Sequence, residues 1–188
     1  MVSQFISTHD VRLLGDLDFD FPAGTHAIGR LDSASEGLLI LTTNKKVTRL
    51  LFQGAKKHKR KYLVMVKNVV SLETLELLRN GISFKVKGGV NYVSLPCEVE
   101  IIPDPAALYP YTADHRERFP HTWLLITLTE GKFHQVRKMV WGVKHPCFRL
   151  IRLSITNITI QDIKPSGIKE LEEKTFFELL DIDYKSEP

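Results

Sequence analysis

Three apolar, β-prone runs limit what this chain can fold into: residues 61–67 (KYLVMVK), 122–129 (TWLLITLT) and 147–155 (CFRLIRLSI). Each is too short to stand as a helix, so each reads as a strand that must be covered by other elements. Residues 37–42 (GLLILT) read as one further buried strand, and residues 90–102 are β-rich with Pro96 marking an edge or bulge. Helical signals lie between the strands. Ser71 is placed to cap a helix whose Leu72, Leu75, Leu77 and Leu78 recur at helical spacing until Asn80-Gly81 ends it. Further helices are expected over 133–141 and over 169–180, the second amphipathic and acidic, with Glu130-Gly131 as a turn. Residues 103–120 hold four prolines and read as a long loop, which in a compact domain is more often functional than filler. Strands with interposed helices make the expected fold class α+β. No internal repeat or Gly/Ser linker divides the chain, so residues 1–188 are expected to form a single domain.

Several classes of protein are excluded. Hydrophobic residues at 43% and charged residues at 26% are ordinary globular values. The longest purely aliphatic run, 38–41, is far short of a bilayer span, and residues 1–30 hold no long apolar stretch behind a basic start. No membrane association and a cytoplasmic location are therefore expected. Cys97 and Cys147 make neither a disulfide scaffold nor a metal-ligand set, and both are expected to be buried thiols.

The formal charge of +4 hides an uneven distribution. Residues 45–61 carry eight basic and no acidic groups: Lys45, Lys46, Arg49, Lys56, Lys57, Lys59, Arg60 and Lys61. Residues 131–152 carry six more, Lys132, Arg137, Lys138, Lys144, Arg149 and Arg152, while 162–188 hold eight acids against four bases. Such clusters are the footprint of a polyanion, because each neutralised phosphate releases a condensed counterion, and nucleic acid is the leading partner. The plainer alternative is a solvated face balanced by acids elsewhere in the fold.

The segment 26–44 (HAIGRLDSASEGLLILTTN) is the richest in chemistry. Arg30 and Asp32 are two apart, so in an extended backbone both point to the same side. A guanidinium beside a carboxylate keeps it ionised, which suits a nucleophile or a base. Out of context, an Arg-x-Asp pair is most often a surface salt bridge worth roughly 0–1 kcal/mol.

In context it resembles a family motif. The run Gly29-Arg30-Leu31-Asp32-Ser33-Ala34-Ser35-Glu36-Gly37-Leu38-Leu39, then Lys61-Tyr62-Leu63-Val64, then Glu130-Gly131-Lys132-Phe133-His134-Gln135-Val136-Arg137-Lys138-Met139, is similar to the motifs of RNA pseudouridine synthases of the branch that acts on ribosomal RNA. Arg116-Glu117-Arg118 ahead of Thr122-Trp123-Leu124 resembles the members acting on the large subunit. The resemblance covers about residues 4–165. It implies a mixed, largely antiparallel central sheet with flanking helices. Set against the family, the chain is expected to depart in having no separate N-terminal RNA-binding domain and in lacking the usual first strand ahead of Val2.

Carried over position by position, the resemblance makes Asp32 the catalytic aspartate, Tyr62 the aromatic residue against the target base and Arg137 the partner of the Asp32 carboxylate. Arg30 helps to seat a flipped nucleotide, and Leu150 lines the pocket. Lys45, Lys46, Lys57, Lys59, Arg60, Lys61, Lys132, His134 and Lys138 are the expected RNA contacts. Lys132-Phe133-His134 departs from the more basic Arg-Asn-Arg common in this branch. The implied partner is ribosomal RNA, of the large subunit, and a monomer is the default expectation.

The implied reaction suits these residue types. It breaks the uridine N1–C1′ bond, turns the base, joins C5 to C1′ and removes the C5 proton, with no net redox change, so neither cofactor nor metal is expected. A carboxylate beside C1′ can attack it, stabilise an oxocarbenium ion or take a ribose proton through a glycal; the residues leave all three open. The main alternative is a catalytically inactive RNA-binding or ribosome-assembly protein on the same fold. A small-molecule hydrolase is disfavoured by the basic surface. His134 and His145 have no third metal ligand at useful spacing, and each reads as structural or RNA-facing.

Overall fold

A computed structural model describes residues 2–54, 56–113 and 119–183. In chain order its elements are β1 (His26–Ile28), β2 (Glu36–Gly37), β3 (Ile40–Thr42), α1 (Lys46–Gln53), β4 (Arg60–Lys67), α2 (Leu72–Asn80), β5 (Ser83–Lys85), β6 (Asn91–Val93), β7 (Glu98–Ile101), β8 (His121–Leu128), α3 (Gln135–Gly142), β9 (Cys147–Ile155), β10 (Ile158–Thr159) and α4 (Glu173–Leu180). The three β-prone runs become the centre of one sheet in the order β10-β9-β4-β8-β7, all antiparallel, with β2 added parallel to β9. Two small hairpins, β1 with β3 and β5 with β6, stand apart from it.

The central strand β4 is covered on both faces, which is why it reads as a nearly continuous apolar run. Leu63 and Met65 join one core with Trp123, Ile151, Phe177 and Leu180. Val64 and Val66 join the other with Leu124, Ile126, Met139 and Leu150. Each such fully buried side chain contributes about 1.5–3 kcal/mol. The helix after β4 starts as its cap predicts, with the Ser71 hydroxyl accepting from Thr74 N–H at 3.2 Å. It buries Leu75 and Leu78 and leaves Leu72 and Leu77 exposed.

Several boundaries differ from the sequence expectation for local reasons. Residues 37–42 are not one strand: Gly37 adopts φ 103°, so the chain leaves β9 and turns into the β1–β3 hairpin. The third helix begins at Gln135 rather than at 133, because His134 is left-handed at φ 55°. The acidic helix begins at Glu173 rather than 169. Within 103–120, Asp104 caps a short 3-10 turn at Pro105–Ala107, a second lies at Pro110–Thr112, and Tyr109 is buried in the core between them. Arg116-Glu117-Arg118 lies outside the described residues. No helix among the described residues is long and apolar enough to cross a membrane. Cys97 and Cys147 are free thiols, each pushed up to about 11 first by burial, which leaves little thiolate for reaction at neutral pH.

Candidate active site

Residues two apart on a strand share a face. Arg152 therefore lies on the same sheet face as Leu150, with Tyr62 of β4 as its direct partner on one side and Gly37 of β2 on the other. A Cβ at Gly37 would stand 2.4 Å from the Arg152 carbonyl oxygen and 2.6 Å from its nitrogen. Only glycine lets β2 come this close, and the approach is sealed by Leu38 N–H donating to Arg152 O at 2.8 Å.

That contact ends the loop that carries Asp32, and other bonds hold the rest of it. Arg149, buried on β9, forks onto Glu36 with Nε to Oε1 at 2.7 Å and Nη2 to Oε2 at 2.8 Å, a bidentate pair with fixed geometry. Ser35 N–H donates to Asp32 O at 2.8 Å, and Leu31 N–H donates to Ser3 Oγ at 3.0 Å. Arg137 Nη2 donates to Ala34 O at 2.5 Å and to Ser35 Oγ at 3.3 Å. Arg137 thus grips the loop rather than the Asp32 carboxylate, and it does not line the cleft.

The group facing the carboxylate is His134, whose Nε2 lies 3.3 Å from Asp32 Oδ1, with the Asp32 side chain 30% exposed. His134 is placed by its left-handed backbone and by stacking on Phe133, centroids 3.8 Å apart at 20°. Phe133 itself is 69% exposed at the rim. Beneath this segment Glu130 accepts from Gln135 Nε2 at 2.6 Å, from Leu95 N–H at 2.9 Å and from the Tyr92 hydroxyl. Gln135 Oε1 in turn accepts from Lys132 N–H at 2.8 Å.

These parts enclose a cleft of about 630 Å³ lined by Arg30, Asp32, Tyr62, Leu150, Arg152 and His134, with Lys56, Lys57, Arg60 and Lys132 along it. That volume lies in the range of small-ligand sites and has room for an everted nucleotide. Some expected RNA contacts have other occupations. Arg60 is buried, with its guanidinium 5.3 Å from the centre of the Phe52 ring, so it builds the wall rather than a free cation. Lys59 pairs with Glu98 at 2.7 Å, and Lys138 donates to Lys85 O at 2.8 Å. Lys45, Lys46 and Lys61 are exposed outside the cleft. His145 Nδ1 bonds to Lys67 O at 2.8 Å.

Three contributors escape the motifs: Arg149, Arg152 and His58. A visible signal existed for the first two, since two arginines in a strand otherwise fit for a core need a buried task. His58 is 2% exposed on the cleft wall, with Nδ1 on Thr156 Oγ1 at 3.1 Å and no partner for Nε2 among the described residues. Burial first, then Arg60 and Lys56, hold its pKa below the usual 6.5. The unfolded chain therefore binds a proton that the folded chain refuses, and stability is lost as pH falls from 6.5 toward the lower folded value. Urea unfolding of the protein is expected to show a midpoint that drops below pH 6.5, with that part of the slope missing in His58→Gln. An unchanged slope in the variant would remove His58 as its source.

Residues 17–140 match the RNA pseudouridylate synthase family. Ribosomal large subunit pseudouridine synthase E of Vibrio vulnificus is 37% identical over 172 residues, covering 90% of this chain and 70% of that protein. The protein of the same name from Vibrio parahaemolyticus is 36% identical over 149 residues, covering 78% of this chain and 60% of the relative. A crystal structure of a pseudouridylate synthase superposes with a TM-score of 0.67 at 21% identity, over 86% of this chain and 63% of that one, and so shares the fold. With the family match spanning the Asp32 loop, β4 and most of α3, the chain belongs to the RNA pseudouridylate synthases.

Proposed function

We propose that this chain isomerises uridine to pseudouridine in ribosomal RNA of the large subunit, in the cytoplasm, with Asp32 as the reacting carboxylate and no cofactor. The observation that carries the reading is the seat of Asp32. Its carboxylate opens on a nucleotide-sized cleft whose floor is Tyr62 and Leu150 and whose walls are basic. The large subunit enters through the printed names of the Vibrio relatives.

The chemistry follows from these parts. The N1–C1′ bond breaks, its electron pair leaves with the base, and C1′ becomes electron-poor beside the Asp32 carboxylate. The freed uracil turns on the Tyr62 ring, C5 bonds to C1′, the C5 proton departs and N1 takes one up. Atoms and electrons balance without an oxidant or a metal. Since C1′ is out of reach inside a stack, the nucleotide must be everted, at a cost of a few kcal/mol. Lys57, Lys132 and Arg30 supply phosphate contacts that offset it, and exposed Phe133 offers a neighbouring base a stacking surface.

The test is tritium release from ribosomal RNA labelled at uridine C5, with large- and small-subunit RNA compared. Release from the large-subunit RNA supports the reading, and release from the small-subunit RNA alone reassigns the substrate. Tight RNA binding with no release from either would overturn catalysis.

A further inference from the structure

Arg152 is an unusual residue to find where it lies. It is 6% exposed in the middle of β9, between a glycine and a tyrosine, on the floor of the cleft. Its guanidinium is incompletely paired: Nε donates to Leu38 O at 2.7 Å and the Tyr62 hydroxyl is a further hydrogen-bond partner, while Nη2 has none among the described residues. Burial pulls this guanidinium below its ordinary pKa, and the Tyr62 phenol and the Asp32 carboxylate oppose that fall, with Arg60 adding to it. An incompletely paired buried cation is expensive for the fold, and an apolar residue of similar volume is often neutral or better. An acceptor oxygen entering the cleft would offset that cost.

We propose that Arg152 receives a carbonyl oxygen of the everted uracil and holds the negative charge that the base gains when N1–C1′ breaks. This rests on the uridine-isomerisation reading above. Every route open to Asp32 leaves the electron pair of the broken bond on the base. That charge spreads from N1 onto the O2 and O4 carbonyls until a proton returns. A guanidinium presents planar N–H donors, keeps its proton, and here, on the strand beside Tyr62, whose ring supports the base, is held by a backbone carbonyl. A fixed donor aimed at developing charge in a site shielded from water acts mainly on the transition state. Arg137, turned to the Ala34 carbonyl, does not serve this place. Arg152 is thus a catalytic contact with the base, and the Gly37 neighbour leaves its side chain uncrowded on one flank.

The experiment compares wild type, Arg152→Met, Arg152→Lys and Asp32→Asn in single-turnover tritium release, RNA affinity and thermal midpoint. Arg152→Met is expected to release tritium about a hundred- to a thousandfold more slowly, the range for loss of one charge-stabilising donor. Its RNA Kd is expected to stay within about threefold and its midpoint to stay level or rise. Arg152→Lys, which keeps the charge without the fork, is expected to recover part of the rate. Arg152→Met releasing at the wild-type rate overturns the proposal. So does a rate loss in Arg152→Met that tracks a falling midpoint and that lysine fails to rescue, since that marks a structural residue. No release by the wild-type protein overturns the isomerisation reading and this proposal together, whereas Asp32-dependent release with an indifferent Arg152→Met overturns this proposal alone.

Discussion

Asp32→Asn is expected to cut tritium release from uridine-labelled ribosomal RNA by at least about a thousandfold, the scale of removing a bond-forming or charge-stabilising group. The exchange keeps the side chain's size and its contact distance to His134 Nε2, now 3.3 Å from Oδ1. It removes only the negative charge and the nucleophilic oxygen pair. Thermal midpoint and RNA affinity are therefore expected to hold near wild type, because the carboxylate is partly exposed and the loop is held by Arg149, Arg137, Ser3 and Gly37 rather than by Asp32 itself. A variant that releases tritium as fast as the parent would sink Asp32 as the reacting group. A variant that loses activity only because it unfolds would be seen in its melting curve.

Gly37→Ala should be among the most damaging small substitutions in the protein, with Gly81, whose Cβ would stand 2.4 Å from Ser94 O at φ 107°, the comparable position. Two costs coincide at Gly37: the left-handed backbone at φ 103°, worth about 1–3 kcal/mol for a residue with a Cβ, and a collision with the Arg152 backbone at 2.4 Å. The atoms struck belong to a central strand and cannot swing aside, so a further ~1–3 kcal/mol of overpacking is expected. Urea unfolding should therefore show a loss of at least about 2 kcal/mol. Gly24→Ala is the control: its φ is 82°, yet nothing lies within 4 Å of the added methyl, so only the conformational cost remains. Equal losses at the two glycines would mean that the approach of β2 to β9 is not what Gly37 provides. The Gly37 variant should also lose tritium release beyond its unfolded fraction, since the displaced segment carries Asp32.

What the amino-acid order disclosed and what it hid divide along a physical line. Strand β9 was legible to the residue, because its apolar run is bounded by Pro146 and by the turn at Thr156. The α2 cap was equally plain, since Ser71 acts within one turn of itself. Asp32, Tyr62 and Leu150 were reached through the family resemblance, and the structure places all three on one cleft. The rest depends on approaches between distant parts of the chain. Nothing in 37–42 announces that Gly37 must lie against Arg152, so a single strand was expected where two short ones occur. Arg60 reads as one more cation in a basic block, and only the fold puts Phe52 beneath it. The orientation of Arg137 toward Ala34 O instead of the carboxylate is set by where α3 lands, which no local pattern encodes.

The placing of β2 beside β9 has one more outcome. The aspartate segment and the tyrosine platform are both fastened to the same ribbon, one to each of its edges, at the same rung of Arg152. Thermal sway of that ribbon carries carboxylate and phenol along together, so their separation is insulated from breathing of the outer shell. Adjustment to a large and irregular transcript then falls to the periphery and to the transcript itself.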